Sequence, residues 1–75
     1  MSNVSKQEFL AYVDNQWNSN NDIVESMKKI YKKKDESAAI RLVNTILESI
    51  FGIFSTPTNI LRSLWNAYVT YFENR

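Results

Sequence analysis

The chain has 75 residues, a formal net charge of +1, no cysteine and no histidine. This length is that of one domain, so we expect a single helical domain over residues 1–75. Disulfides are excluded, a zinc site is disfavoured because cysteine and histidine are its usual ligands, and the small charge gives no argument for nucleic acid.

The first helix is predicted over about residues 5–18. Ser5 and Glu8 have the spacing of a capping box, and Val4 and Phe9 stand at the two positions of a hydrophobic staple. The apolar side chains share one stripe of the helix: Phe9, Leu10, Val13 and Trp17. This pattern is typical of a helix that buries one face.

The second helix is predicted over about residues 22–33. It begins at Asp22, which has the capping spacing to Glu25. Lys34 would point into the apolar stripe, so the helix should end before it. The stripe has five members: Ile23, Val24, Met27, Ile30 and Tyr31. The cluster Lys28, Lys29, Lys32 and Lys33 lies off this stripe, near the helix carboxyl end, where the helix dipole favours positive charge.

The third helix is predicted over about residues 36–54, with its start between Asp35 and Ser37. Its apolar side chains cover about 180° of the helical wheel, whereas one buried face needs about 100°. They run from Ala39 to Phe54. Gly52 falls on the polar side, where it weakens the last turn by up to about 1 kcal/mol relative to alanine.

The fourth helix is predicted over about residues 57–73, after the break at residues 55–59. Thr56 is expected to cap it, with Pro57 at the first helical position, where the missing N–H has no partner to lose. Its apolar side chains again cover about 180°: Ile60, Leu61, Leu64, Trp65, Tyr68, Val69, Tyr71 and Phe72.

These elements predict an all-α fold, a small compact bundle of four helices. The short connections favour antiparallel neighbours. The third and fourth helices have the widest apolar surfaces, so we expect them to form the centre of the core. The first two helices should pack on it with their narrower stripes.

The chemistry of catalysis is sparse in this chain. Without histidine, acid–base catalysis needs paired carboxylates or a perturbed lysine, and no spacing indicates either. Asp22 and Glu25 are assigned to a cap, and no glycine-rich phosphate loop is present. We therefore expect a protein that is not an enzyme and has no cofactor or metal.

The wide apolar surfaces of the third and fourth helices exceed what their contact with each other can bury. The residues at the edges of these surfaces, together with Tyr68, are the predicted contact residues for a partner or a second copy: Ile40, Phe51, Trp65, Tyr68, Val69 and Tyr71. Tyr12 lies off its stripe and is predicted to be a further exposed aromatic. A homodimer through the third and fourth helices would bury these edges twice.

The lysine cluster has two interpretations. It is either a solvated helix face or a patch for an anionic partner. The alternative function that follows is a small DNA-binding regulator using residues 28–34 and the fourth helix. The fourth helix could instead lie on a membrane as an amphipathic helix. Such helices usually have several basic residues on the polar face, and here Arg62 is the one basic residue there.

We expect a non-enzymatic protein that binds and modulates another protein, by inhibition in the simplest case. Phage or mobile-element inhibitors and immunity-type adaptors are comparable in size and class. The amino-terminal residues lack the basic and apolar regions of a signal peptide. The longest apolar stretch is shorter than the ~20 residues that span a bilayer, so a cytoplasmic location is expected.

Overall fold

The computed structural model describes residues 5–17 and 22–74. Within these ranges the chain forms four helices: α1 (Lys6–Trp17), α2 (Asp22–Lys33), α3 (Glu36–Ser49) and α4 (Thr58–Glu73). No described residue is in a strand. The prediction of an all-α bundle of four helices is confirmed.

The start of α1 is the predicted capping box. The Ser5 backbone N–H donates to Glu8 Oε1 at 3.0 Å, and the Glu8 backbone N–H donates to Ser5 Oγ at 3.1 Å. These two bonds satisfy donors that have no partner inside the helix. Val4, the other half of the predicted staple, and the turn after Trp17 lie outside the described residues.

A tight turn joins α2 to α3. Lys34 has a left-handed backbone with φ of 56°, which ends α2 at the predicted place. Asp35 is the N-cap of α3, and its side chain accepts a hydrogen bond from the Ala38 backbone N–H at 3.1 Å. The predicted start of α3 is therefore confirmed, because the aspartate satisfies one of the free N–H groups there.

The predicted end of α3 at Phe54 is wrong, since the helix ends at Ser49. The Leu47 carbonyl accepts from the backbone N–H of Phe51 at 3.2 Å and of Ile53 at 2.9 Å. Gly52 between them has φ of 67°, a left-handed conformation that glycine adopts without a steric penalty and that commonly follows a helix. Gly52 thus terminates the helix instead of continuing it.

The start of α4 also differs from the prediction. Pro57 is the N-cap residue and no side chain caps the helix. The Pro57 carbonyl accepts from the backbone N–H of Ile60 at 3.0 Å and of Leu61 at 3.1 Å. Thr56 Oγ1 is buried and has no hydrogen-bond partner within the described part of the chain, so the predicted threonine cap is not formed.

The core lies between α3 and α4, and α1 and α2 pack on it. Its buried side chains come from all four helices: Phe9, Val13, Met27, Ala39, Val43, Ile46, Leu47, Leu61, Leu64, Trp65 and Tyr68. The accessible surface is 4852 Å². A folded monomer of this mass, 8.8 kDa, is expected to have about 4,800 Å². The isolated chain therefore buries as much surface as a typical monomer.

None of the described helices is long and apolar enough to cross a bilayer.

Candidate functional site

Two of the six predicted contact residues lie in the core. Trp65 is 7% exposed and Tyr68 is fully buried, and their ring centroids are 4.9 Å apart. The expectation that Trp65 is an uncovered edge of α4 is therefore wrong. The reason is that both α3 and α1 pack against α4, so α1 covers more of its wide apolar surface than the narrow stripe of α1 was expected to cover.

An aromatic cluster explains how α4 is covered. The ring centroid of Trp17 in α1 lies 6.3 Å from that of Tyr68 and 5.7 Å from that of Phe72. Tyr31 in α2 lies 4.9 Å from Phe72. Tilted aromatic pairs at these distances contribute roughly 0.5–1.5 kcal/mol each beyond the area they bury. The cluster therefore joins α1, α2 and α4, and its half-buried rings pack against the core.

Three more predicted contact residues, Ile40, Val69 and Tyr71, are half-buried and pack against the core. The Tyr71 ring meets Trp17 edge-on at 5.9 Å, and its hydroxyl donates to the Asp14 carboxylate. These side chains keep part of their surface exposed, but each already has an intramolecular contact.

The exposed apolar surface lies in the segment between α3 and α4. Ile50 is 48% exposed and Phe54 is 66% exposed. Among the described residues, these two are the large apolar side chains classed as exposed. Phe51, the sixth predicted contact residue, and Ile53 are half-buried beside them. We call Ile50, Phe51, Ile53 and Phe54 the connector patch.

The connector patch is attached to α1 through Tyr12. The Tyr12 and Phe51 rings meet edge-on with centroids 5.8 Å apart, and burial raises the pKa of the Tyr12 hydroxyl. The expectation that Tyr12 is an exposed aromatic is wrong, because the chain after the end of α3 places Phe51 against it. This contact fixes one edge of the patch on the body of the protein.

The backbone of the connector patch has a defined shape. Gly52 has φ of 67° and Ser55 has φ of 62°, so two left-handed residues enclose Ile53 and Phe54. A left-handed serine costs roughly 1–3 kcal/mol, and such strained positions cluster at functional sites. Phe54 is therefore presented on a shaped loop and not on a helix face.

The connector patch lies in an uncharged stretch of the sequence. No charged residue occurs between Glu48 and Arg62. Glu48 itself accepts a hydrogen bond from Asn44 Nδ2 at 3.4 Å. The patch therefore offers apolar contact without an ion-pairing group of its own.

Sequence reasoning missed Ile50 and Phe54 as surface residues, because it assigned both to the apolar face of a longer helix. The pattern that identifies them is local. Gly52 follows the last regular turn, and Pro57 follows a few residues later, which is the usual order at a helix end. A helix end placed at Gly52 would have put Phe54 in a loop and Ile50 in the last turn of the helix.

The lysine cluster is divided in the structure. Lys28 Nζ lies 5.1 Å from the centroid of the Trp17 ring and 3.7 Å from Glu25 Oε2, so Lys28 has intramolecular partners. Lys29, Lys32 and Lys33 are exposed, and no ion pair within the described residues involves them. They form a solvated basic face at the end of α2.

Within residues 5–17 and 22–74, no three histidine, cysteine or carboxylate side chains come close enough together to hold a metal ion.

No protein-family model, curated protein or solved structure matches this chain. What its surfaces bind is therefore inferred from its own residues.

Proposed function

We propose that this chain is a non-enzymatic protein that binds another protein through the connector patch and modulates it, in the simplest case by blocking its surface. The observation that supports this is the exposure of Phe54 (66%) and Ile50 (48%), whereas the other large apolar side chains among the described residues are buried or half-buried. Exposed apolar side chains grouped in this way mark protein contacts. We expect the protein to act in the cytoplasm.

The connector patch is suited to binding because little of it has to be ordered. Full burial of a phenylalanine or isoleucine side chain contributes roughly 1.5–3 kcal/mol. The left-handed Gly52 and Ser55 and the contact of Phe51 with Tyr12 already hold the loop. A preordered loop loses less conformational entropy on binding, so more of the burial energy appears as affinity.

The partner we propose is a protein with a concave apolar pocket of about the size of a phenylalanine ring. A projecting side chain loses most water contact in a pocket, whereas two copies of a projecting loop touch only at their tips. Anionic lipid is a weaker candidate, because no lysine or arginine occurs between Arg41 and Arg62 to attract it. The lack of charge also predicts that binding changes little with salt.

The proposal predicts that Ile50→Ser with Phe54→Ser abolishes binding. The partner is captured from the source organism with the tagged chain, purified, and titrated calorimetrically at two salt concentrations. We expect the double variant to bind at least roughly 100-fold more weakly, as for the loss of two apolar anchors. The matched control, Lys32→Ser with Lys33→Ser, changes two exposed residues on α2 and should bind like wild type.

Three results would contradict the proposal. One is wild-type affinity in the connector variant. Another is a steep loss of wild-type affinity with salt. The third is a change from dimer to monomer on substitution, measured by light scattering, which would assign the patch to self-association as in the predicted homodimer.

A second candidate is the small DNA-binding regulator. It is favoured by the exposure of Lys29, Lys32 and Lys33 without ion-pair partners among the described residues. Arg62, the basic residue of α4, is instead paired with Glu36 at 3.2 Å. Changing the three lysines to glutamine should abolish salt-sensitive binding to duplex DNA if this function is real, and absence of binding at low salt would remove it.

A further inference from the structure

A groove of about 290 Å³ lies between the end of α2, the following turn and the second half of α4. Its apolar lining includes Ile30, Trp65 and Val69, and its charged lining includes the carboxylates of Asp35, Glu36 and Glu73. The volume is close to the lower end of small-ligand pockets, roughly 300 Å³. The groove is therefore large enough for one long side chain and too small for a helix.

The charge of the groove favours a cation. Three carboxylates line it against one ammonium group, that of Lys34. Asn66 and Tyr31 are the uncharged polar members of the lining. An anionic ligand would meet repulsion from most of the charged groups, and a purely apolar ligand would gain no attraction from them.

The three carboxylates keep capacity for a ligand. Each has one oxygen in an intramolecular contact: Glu73 Oε2 accepts from the Tyr31 hydroxyl at 2.9 Å, Glu36 Oε2 from Arg62 Nε at 3.2 Å and Asp35 Oδ1 from the Ala38 backbone N–H at 3.1 Å. A carboxylate offers about four lone-pair positions over its two oxygens. These contacts hold the carboxylates in place, and the described residues leave some of their acceptor positions unused.

Tyr31 connects the apolar lining to the charged lining. Its ring lines the groove, and its hydroxyl donates to Glu73. The bond to the Glu73 carboxylate, with burial, raises the pKa of the Tyr31 hydroxyl. The neutral hydroxyl holds the Glu73 carboxylate at the edge of the Tyr31 ring, so the acidic part of the groove adjoins its apolar part.

We propose that this groove binds one lysine or arginine side chain of a protein partner. The alkyl stem lies along Ile30, Trp65 and Val69, as the stems of long basic side chains do on apolar surfaces. The cationic head meets Glu73 and Glu36 in charge-assisted hydrogen bonds. The groove and the connector patch are composed of different residues, so the failure of either proposal leaves the other standing.

The test is an NMR titration of the ¹⁵N-labelled chain with three probes: N-acetyl-arginine amide, N-acetyl-lysine amide and the uncharged N-acetyl-norleucine amide. We expect at least one cationic probe to shift the backbone N–H signals of groove residues saturably, with a dissociation constant on the order of millimolar. The norleucine probe should give no saturable shift. Whichever cationic probe binds more tightly identifies the preferred side chain.

Two variants make the test specific. Glu73→Gln removes one charge and keeps an acceptor for Tyr31, so the spectrum should remain that of the folded chain while probe affinity falls roughly two- to fivefold. Glu25→Gln changes an exposed carboxylate on α2 outside the groove and should leave affinity unchanged. Absence of saturable shifts with both cationic probes, equal binding of norleucine amide, or equal effects of the two variants would each overturn the proposal.

Discussion

Two regions with the same kind of sequence differ in outcome: the end of the predicted third helix and the middle of α4. Both present large apolar side chains over a wide part of a helical wheel. In α4, Trp65 is 7% exposed, whereas Phe54 in the connector patch is 66% exposed. α4 remains a helix and is covered by α1 and α3. The chain after Ser49 leaves the helix, and Ile50 and Phe54 face solvent.

The comparison shows that apolar character alone does not assign a residue to the core. Burial depends on whether a neighbouring element reaches the residue. Trp17 in α1 reaches the α4 side chains Tyr68, Tyr71 and Phe72. In the connector patch, Tyr12 reaches Phe51, while Phe54 stays mostly exposed. The same type of side chain thus stabilises the fold in one region and is available for binding in the other.

The largest expected difference between the two regions is in stability. Trp65→Ala should lower the free energy of unfolding by about 3–5 kcal/mol, as for large aromatic side chains removed from a core. Phe54→Ala should change it by less than about 0.5 kcal/mol, because the side chain has little buried surface to lose. Urea unfolding followed by circular dichroism measures both. Similar losses for the two variants would contradict the division into core and surface.

The burial of Tyr68 in the covered region should also make the free energy of unfolding depend on pH above pH 10. Burial raises the pKa of the Tyr68 hydroxyl to about 12, whereas an unfolded tyrosine has a value of about 10. Above pH 10 the unfolded chain loses this proton and the folded chain keeps it, so unfolding becomes more favourable. The stability present below pH 10 should fall by about 1–3 kcal/mol as pH rises to about 12.

The matched variant for this pH effect is Tyr68→Phe. The Tyr68 hydroxyl is buried without a hydrogen-bond partner among the described residues, so its removal should be neutral or stabilising at pH 7. The variant should also lose less stability than wild type between pH 10 and pH 12. Thermal unfolding at a series of pH values measures this, and equal losses in both proteins would show that Tyr68 is not responsible.

The smallest expected effect concerns Gly52, which lies in the connector segment after the end of α3. A helical Gly52 would make Gly52→Ala stabilising by up to about 1 kcal/mol. With φ of 67° and open space around the position of a side chain, alanine should instead destabilise by about 1 kcal/mol through backbone strain alone. A helical Gly52 and a left-handed Gly52 therefore predict stability changes of opposite sign for Gly52→Ala. Chemical denaturation decides between them, and a more stable variant would restore the longer helix.

The candidate site was only partly predictable from the sequence. Phe51 was expected at the surface and belongs to the connector patch, whereas Ile50 and Phe54 were read as members of a helix. The error arose from treating Gly52 as a weak point in a helix and not as its end. The groove was not predicted at all, because it combines Ile30 and Glu36 with Trp65 and Glu73, residues too distant in sequence for a periodic pattern to relate.

The sequence by itself determined the all-α class, the capping box of Ser5 and Glu8, the turn at Lys34 and Asp35, and the approximate position of each helix. These features depend on hydrogen bonds and backbone preferences within a few residues, so local sequence contains the information. Only the tertiary structure decided which apolar side chains are covered and which remain exposed. That outcome depends on the packing of α1, α2 and α3 around α4, and packing is a property of surfaces brought together from distant parts of the chain.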